Sequence, residues 1–157
     1  MEFLFLLTGV TTDSFVKEGM DLYASRIKHY VNFEIREIKP GKKGSKKLVK
    51  EQKKQEAAAI MKHLEKSDFL VLLDEHGKQY TSRRFADFIQ KKMNAGYKRI
   101  VFLVGGAYGF DEALKNRADA LLSLSEMTFP HQLIRIIFLE QLYRAYTILN
   151  NEPYHNV

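Results

Sequence analysis

Short apolar runs punctuate this chain, and helix-period patterns separate them. That alternation admits few folds, because a strand apolar on both faces needs cover on both faces. Residues 3–8 read as a buried strand. Asp13 then caps a helix with Val16, Met20, Tyr23 and Ile27 at helical spacing. Residues 33–38 alternate, as a strand near a sheet edge does. Gly41 and Gly44 loosen the next turn. Ser45 is placed to cap a long helix to about Glu65, with Ala57, Ile60, Met61 and Leu64 on one face. Residues 68–73 make a third strand. Ser82 caps a helix carrying Phe85, Phe88, Ile89 and Met93, which Gly96 closes. Residues 99–104 and 120–124 are the fourth and fifth strands, and a last helix runs from near Pro130 to about Asn150. The expected fold class is α/β: one domain over residues 1–157, an open, mainly parallel sheet flanked by helices.

The last helix is unusual. Leu133, Ile134, Ile136, Ile137, Phe138, Leu139, Leu142, Tyr143, Ala145, Tyr146, Ile148 and Leu149 surround most of it. A helix apolar all round must be buried, and one small sheet covers one side. A second copy of the chain is the simplest cover for the other, so a homodimer is expected. The alternative is a helix sandwiched within one chain.

Composition narrows the chemistry. At 157 residues the chain can bury about 70% of its unfolded surface without staples. It has no cysteine, which excludes disulfides, thiolate nucleophiles and cysteine zinc sites. The apolar start, residues 1–8, has no basic flank or cleavage site, and no stretch is long enough to span a membrane. The expected place is the cytoplasm, with no membrane partner. Net charge is +6, and residues 42–54 alone carry it, with seven lysines against Glu51. Such a stripe follows a phosphate backbone or is a solvated helix face.

Three segments at strand ends stand out, where open α/β sheets bind ligands. They are residues 72–82, with Asp74, Glu75, His76 and Gly77; residues 104–109, with Gly105, Gly106 and Gly109; and residues 122–132. The glycine segment matches neither GxGxxG nor a Walker sequence and serves packing as readily as a ligand. Asp74 and Glu75 read more readily as a turn than as an acid/base pair. His131 reads as a hydrogen-bonded structural residue. No histidine spacing supports a metal.

At these residues the chain resembles the ribosomal large-subunit methyltransferase H family, a small branch of the SPOUT methyltransferases. Leu-Asp-Glu-x-Gly-Lys, Gly105-Gly106-Ala107-Tyr108-Gly109, Met-Thr-Phe-Pro-His-Gln, Glu-Gln-Leu-Tyr-Arg-Ala and Pro153-Tyr154-His155 carry the likeness in order. The resemblance implies a C-terminal trefoil knot over roughly residues 100–157 and S-adenosylmethionine as cofactor. It implies methylation at N3 of a pseudouridine in 23S ribosomal RNA of the assembled ribosome. It assigns cofactor binding to Leu73, Gly105, Leu124, Ser125, Glu126, Met127, Thr128 and Phe129. Gly105 is expected to lie against the cofactor, so that a valine there abolishes binding and leaves the fold intact.

Tyr154, His155 and Arg144 are the candidate catalytic residues: a ring to stack on a base, a group titrating near neutrality, and a phosphate or base contact. Arg144 has a competing role as the i,i+4 partner of Glu140. The tail from Asn151 onward is expected to be mobile without RNA, and it can serve the partner's pocket. Asn151 stands where the family often has glycine, and asparagine also tolerates the left-handed conformation that ends a helix. Asn156 and Val157 end the chain where the family commonly has a basic residue. A non-catalytic RNA-binding module and a SPOUT ribose methyltransferase acting on transfer RNA are the alternatives.

Overall fold

The computed structural model describes residues 1–39 and 48–156. Its elements are β1 (Glu2–Thr8), α1 (Ser14–Ile27), β2 (Asn32–Ile38), α2 (Val49–Met61) and β3 (Phe69–Gln79). They continue as α3 (Ser82–Asn94), β4 (Arg99–Val104), α4 (Glu112–Arg117), β5 (Ala120–Ser123) and α5 (Leu133–Leu149). The strands lie in the order β2-β1-β4-β3-β5, and every pairing is parallel. β2 is an edge strand, as its alternation implies.

Period-two alternation divides each central strand between two cores. Phe3, Phe5, Leu7, Phe69, Val71, Leu73, Ile100, Phe102 and Val104 face α1, α3 and α5. Leu4, Leu6, Leu70, Leu72, Val101 and Leu103 face α2 and α4. The result is three layers, which is why the inner strands are apolar at nearly every position.

Several boundaries differ from expectation. Thr81, not Ser82, caps α3, accepting a hydrogen bond from the Arg84 amide at 3.2 Å. Asp13 stands at the N-cap of α1 without a side-chain cap bond. α2 ends at Met61, short of Glu65. Ser45, Gly41, Gly44 and the lysines at 42, 43, 46 and 47 lie outside the described residues. α4 has six residues, too few for a helical period to register, and Asp111 caps it through the Ala113 amide at 3.0 Å.

β3 is the largest departure. It runs on to Gln79, so the acidic segment after Leu73 lies inside a strand. Both Leu73 and Lys78 pair with Leu122, so residues 74–77 bulge out of the ladder. Gly77 passes so close to β5 that a Cβ there would meet the backbone of Leu121 and Leu122 at 2.6–2.7 Å. A bulge lets one strand continue its ladder while turning side chains toward a site.

α5 lies on the sheet between α1 and α3. Phe138, Leu139, Leu142, Ala145 and Tyr146 are buried there. The chain therefore covers more of α5 than the all-round apolar pattern suggests, because two helices flank it. A strip stays partly open at Leu133, Ile134, Ile136, Ile137, Tyr143, Ile148 and Leu149. Within α5 lies a charge that the apolar pattern hid. Arg135 is fully buried, and its guanidinium donates to Thr11 Oγ1 at 2.7 Å and to the carbonyls of Thr8 and Gly9 at 3.1 Å. It pins the start of α5 to the end of β1. Among the described residues, no helix is long and apolar enough to cross a membrane.

Candidate functional site

The C-terminal ends of β3, β4 and β5 open into one cleft of about 460 Å³. Its floor is apolar: Leu73, Val104, Leu122, Leu124, Phe129 and Ile134. Its rim is polar, with Asp74, Glu75 and His76 from the β3 bulge and Lys53 and Lys115 from α2 and α4. The volume lies in the range of small-ligand sites, and an apolar floor with a few polar groups is their usual composition. A smaller hollow of about 170 Å³ shares Leu122, Ser123, Leu124 and Phe129 with it and reaches Ile137 and Gln141 of α5.

Each wall has a local cause. The glycine loop folds back on itself, with the Gly109 amide donating to the Gly106 carbonyl at 3.2 Å and Gly109 at φ +80°. Gly105 and Gly106 line the cleft, and a Cβ on either would meet a neighbouring side chain, Phe110 or Glu56. The loop after β5 is stiffened by Ser125, whose hydroxyl accepts from the Met127 amide at 2.9 Å, while Ser123 Oγ donates to the Ser125 carbonyl at 3.0 Å. In the bulge, Asp74 Oδ1 accepts from the His76 amide at 2.8 Å. That local bond supports the turn reading of Asp74 and Glu75 rather than paired acid/base work.

Of the eight residues expected to bind cofactor, Leu73, Gly105, Leu124, Ser125, Met127, Thr128 and Phe129 line the cleft. Glu126 is exposed and does not. Gly105 has a second reason to be glycine: a Cβ there would meet the buried Phe110 ring at 2.8 Å. A valine at 105 therefore disturbs the core beneath the loop, so the expectation of an intact fold does not hold. His131 also departs from expectation. It is exposed and lines the cleft instead of serving as a structural residue. Lys115 and Ile134 join the site only through the fold, since no local pattern sets them apart, and the fold brings Lys53 of the lysine run to the same cleft.

Tyr154, His155 and Arg144 come together, but elsewhere. Arg144 Nη1 lies 3.1 Å from His155 Nδ1, and its guanidinium sits 4.8 Å from the centre of the Tyr154 ring. Glu140 binds Arg144 at 2.6 Å and accepts from the Tyr154 hydroxyl at 3.2 Å. Burial, then a hydrogen bond with Tyr23, pushes the Tyr154 phenol well above its usual value. It therefore stays protonated at neutral pH. Arginine only donates, so His155 Nδ1 is the acceptor in that contact and a neutral ring carries its proton on Nε2.

The tail is not loose in this structure. Asn151 adopts φ 55° after α5, its amide donating to the Ile148 carbonyl and the Glu152 amide to that of Thr147. This is the glycine-type helix stop built with asparagine. Glu152 accepts from the Tyr30 hydroxyl at 2.6 Å, and burial followed by that bond pushes the Tyr30 phenol up to about 12. Tyr154 packs edge-on against Tyr143. In this structure aromatic and charged contacts, not apolar volume, hold this short segment in place. Ten residues of α5 separate Ile134 at the cleft from Arg144, about 15 Å along the helix. Within one chain, the cleft and the tail cluster are two separate centres.

The chain matches the family described as predicted SPOUT methyltransferases over residues 1–155. It is 49% identical over 149 residues to a ribosomal RNA large subunit methyltransferase H of Christiangramia forsetii, covering 94% of each chain. It is 49% identical over 152 residues to the protein of that name from Parabacteroides distasonis, covering 96% of each. Among solved structures, a probable methylase family protein from Haemophilus influenzae superposes with TM-score 0.53 at 14% identity, over 95% of this chain and 66% of that one. That last likeness concerns the fold alone.

Proposed function

The chain belongs to the SPOUT methyltransferase family, and from that premise we propose that it methylates large-subunit ribosomal RNA, at N3 of a pseudouridine in the assembled ribosome. The observation that carries the reading is the cleft. Three strand-end loops converge on a space of about 460 Å³, with an apolar floor and the glycine loop on one wall. A flat purine suits Leu73, Leu124 and Phe129, and the backbone polar groups of residues 105–106 and 124–128 suit the polar remainder of S-adenosylmethionine.

When bound, S-adenosylmethionine supplies a methyl group already activated by sulfonium charge. The chain's own residues then need to hold the base in line and ease the loss of its proton. Tyr154 offers a ring face to the base, and its protonated hydroxyl makes it a donor rather than a base. Arg144 is the contact for phosphate or base. Turning Arg144 toward RNA frees His155 Nδ1 to accept a proton.

This division of labour asks for a second copy of the chain, because the tail cluster lies some 15 Å along α5 from its own cleft. Phe15 and Leu22 of α1 are exposed, one on each side of Gly19, and a Cβ on Gly19 would sit 3.1 Å from Ile136. With the open strip of α5 they form an apolar face suited to a homodimer, in which one chain's tail serves its partner's cleft. The same reading includes the knotted C-terminal segment and a cytoplasmic enzyme. Lys50 and Lys54, exposed on α2, extend the lysine run along which the RNA backbone would pass.

The test is calorimetric titration with S-adenosylmethionine, followed by mass spectrometry of nucleosides from treated ribosomes. Binding with a methylated pseudouridine product supports the reading. RNA binding without cofactor binding marks a non-catalytic module, and a ribose-methylated product marks a different SPOUT activity.

A further inference from the structure

The two carboxylate oxygens of Glu140 are held differently. Oε1 takes the donors of Arg144 and Tyr154. Oε2 accepts from the side-chain amide of Gln141 at 3.0 Å. Successive residues of a helix do not face each other. A bond between the side chains of Glu140 and Gln141 therefore needs a partner that bends one of them round. Ser82 is that partner. It stands in the first turn of α3, 59 residues away, with its hydroxyl 2.8 Å from Gln141 Oε1. Thr81 caps α3, so the Ser82 hydroxyl serves α5 rather than its own helix.

Chemistry sets the direction of this chain of bonds. Paired with Arg144, the Glu140 carboxylate accepts only, so the Gln141 nitrogen must face it and the Gln141 oxygen is left for the Ser82 proton. Each donor points toward Glu140, an arrangement in which successive bonds polarise and strengthen one another. Ser82, Glu140, Gln141 and Arg144 are all half-buried, which limits competition from water. The place of the pair matters as well. Ser82 and Gln141 line the smaller hollow, which shares Leu122, Ser123, Leu124 and Phe129 with the cleft, while Glu140 belongs to the tail cluster. The pair thus stands between the two centres of the chain.

We propose that Ser82 and Gln141 are positioning residues for methyl transfer. Together they fix the rotation of the Glu140 carboxylate, and through it the places of Arg144 and Tyr154. This inference rests on the function proposed above.

The test is methyl transfer to ribosomes by full-length Gln141→Met, Ser82→Ala and Ser82→Thr, and by Gln141→Met combined with Glu140→Gln. Gln141→Met should lower kcat about tenfold and Ser82→Ala about threefold, the scale of one lost hydrogen bond to a charged and to a neutral group. Ser82→Thr keeps the hydroxyl and should turn over like wild type. Calorimetric affinity for S-adenosylmethionine should not change in any of them. The double variant should be no slower than Glu140→Gln alone, because Gln141 acts through Glu140. A second readout needs no turnover. The Arg144 Nε proton, which donates to Glu140 at 2.9 Å, should exchange with solvent several-fold faster in Gln141→Met and Ser82→Ala by nuclear magnetic resonance. Three results overturn the inference and leave the function reading standing: wild-type kcat in Gln141→Met, a double variant slowed by the product of both single losses, or Ser82→Thr as slow as Ser82→Ala. If wild type transfers no methyl group, the function reading falls. The Arg144 exchange rate then decides whether the pair positions Glu140, and an unchanged rate overturns that too.

Discussion

Arg144 is held from one helical turn back by Glu140, whose Oε1 lies 2.6 Å from one guanidinium nitrogen and 2.9 Å from another. The same oxygen accepts from Tyr154. One carboxylate thus sets the position of two of the three candidate catalytic groups. Glu140→Gln keeps the shape and removes the charge that fixes both. Methyl transfer should fall roughly tenfold to hundredfold, the scale of a misplaced reacting group. Cofactor affinity should not change, because Glu140 is not part of the cleft. A parallel loss of cofactor affinity would contradict this assignment.

The dimer makes a separate expectation. Sedimentation equilibrium should give twice 18.3 kDa. A chain lacking residues 153–157 and a chain with Leu124→Glu, confirmed to bind no cofactor, should each be inactive. Mixed into verified heterodimers, they should recover activity, since one cleft and one tail then meet across the interface. A monomer, or silent heterodimers, would contradict the cross-chain arrangement.

Much of this arrangement is legible in the sequence. Runs such as Phe3 to Leu7 and Ile100 to Val104 carry a period-two signal with both faces apolar, which fixes strand and cover together. Three loops at strand ends point to the cleft in the same way. The rest is set by long-range contact. The extension of β3 past Leu73 follows from pairing with β5, which no local pattern around Asp74 reveals. Arg135 sits inside an apolar helix because carbonyls at the end of β1 accept its protons, 126 and 127 residues away. The docking of the tail depends on Tyr30 meeting Glu152 across 122 residues.

Gly77 gives a direct test of the β3 bulge. Gly77→Ala would place a Cβ within 2.7 Å of the β5 backbone, which has no flexible side chain to yield. The expected cost is about 1–3 kcal/mol, and each kcal/mol lowers the melting temperature by roughly 2–4 °C in a chain of this size. An unchanged melting temperature would mean that the bulge is not closed against β5.

His63 makes stability depend on pH. Its Nδ1 lies 3.0 Å from an Arg36 nitrogen, and burial, then the Arg36 charge, lowers its value from 6.5. The unfolded chain therefore binds this proton more readily than the folded one. The contribution is complete above pH 6.5 and is lost as pH falls below that value toward the lowered one. His63→Gln keeps an acceptor for Arg36 but does not titrate. Its melting temperature should fall less than that of wild type between about pH 7.5 and about pH 5.5. Equal falls would show that His63 is not linked to folding.

Cleft and tail acting together on ribosomal RNA can be measured directly. The most direct measurement is transfer of a tritiated methyl group from S-adenosylmethionine to ribosomes from cells lacking the enzyme, with free RNA as the comparison. Label should appear in large-subunit RNA of assembled ribosomes, recovered as a base-methylated pseudouridine and abolished by deleting residues 153–157. Label absent from ribosomes, or recovered as a ribose-methylated nucleoside, would contradict it.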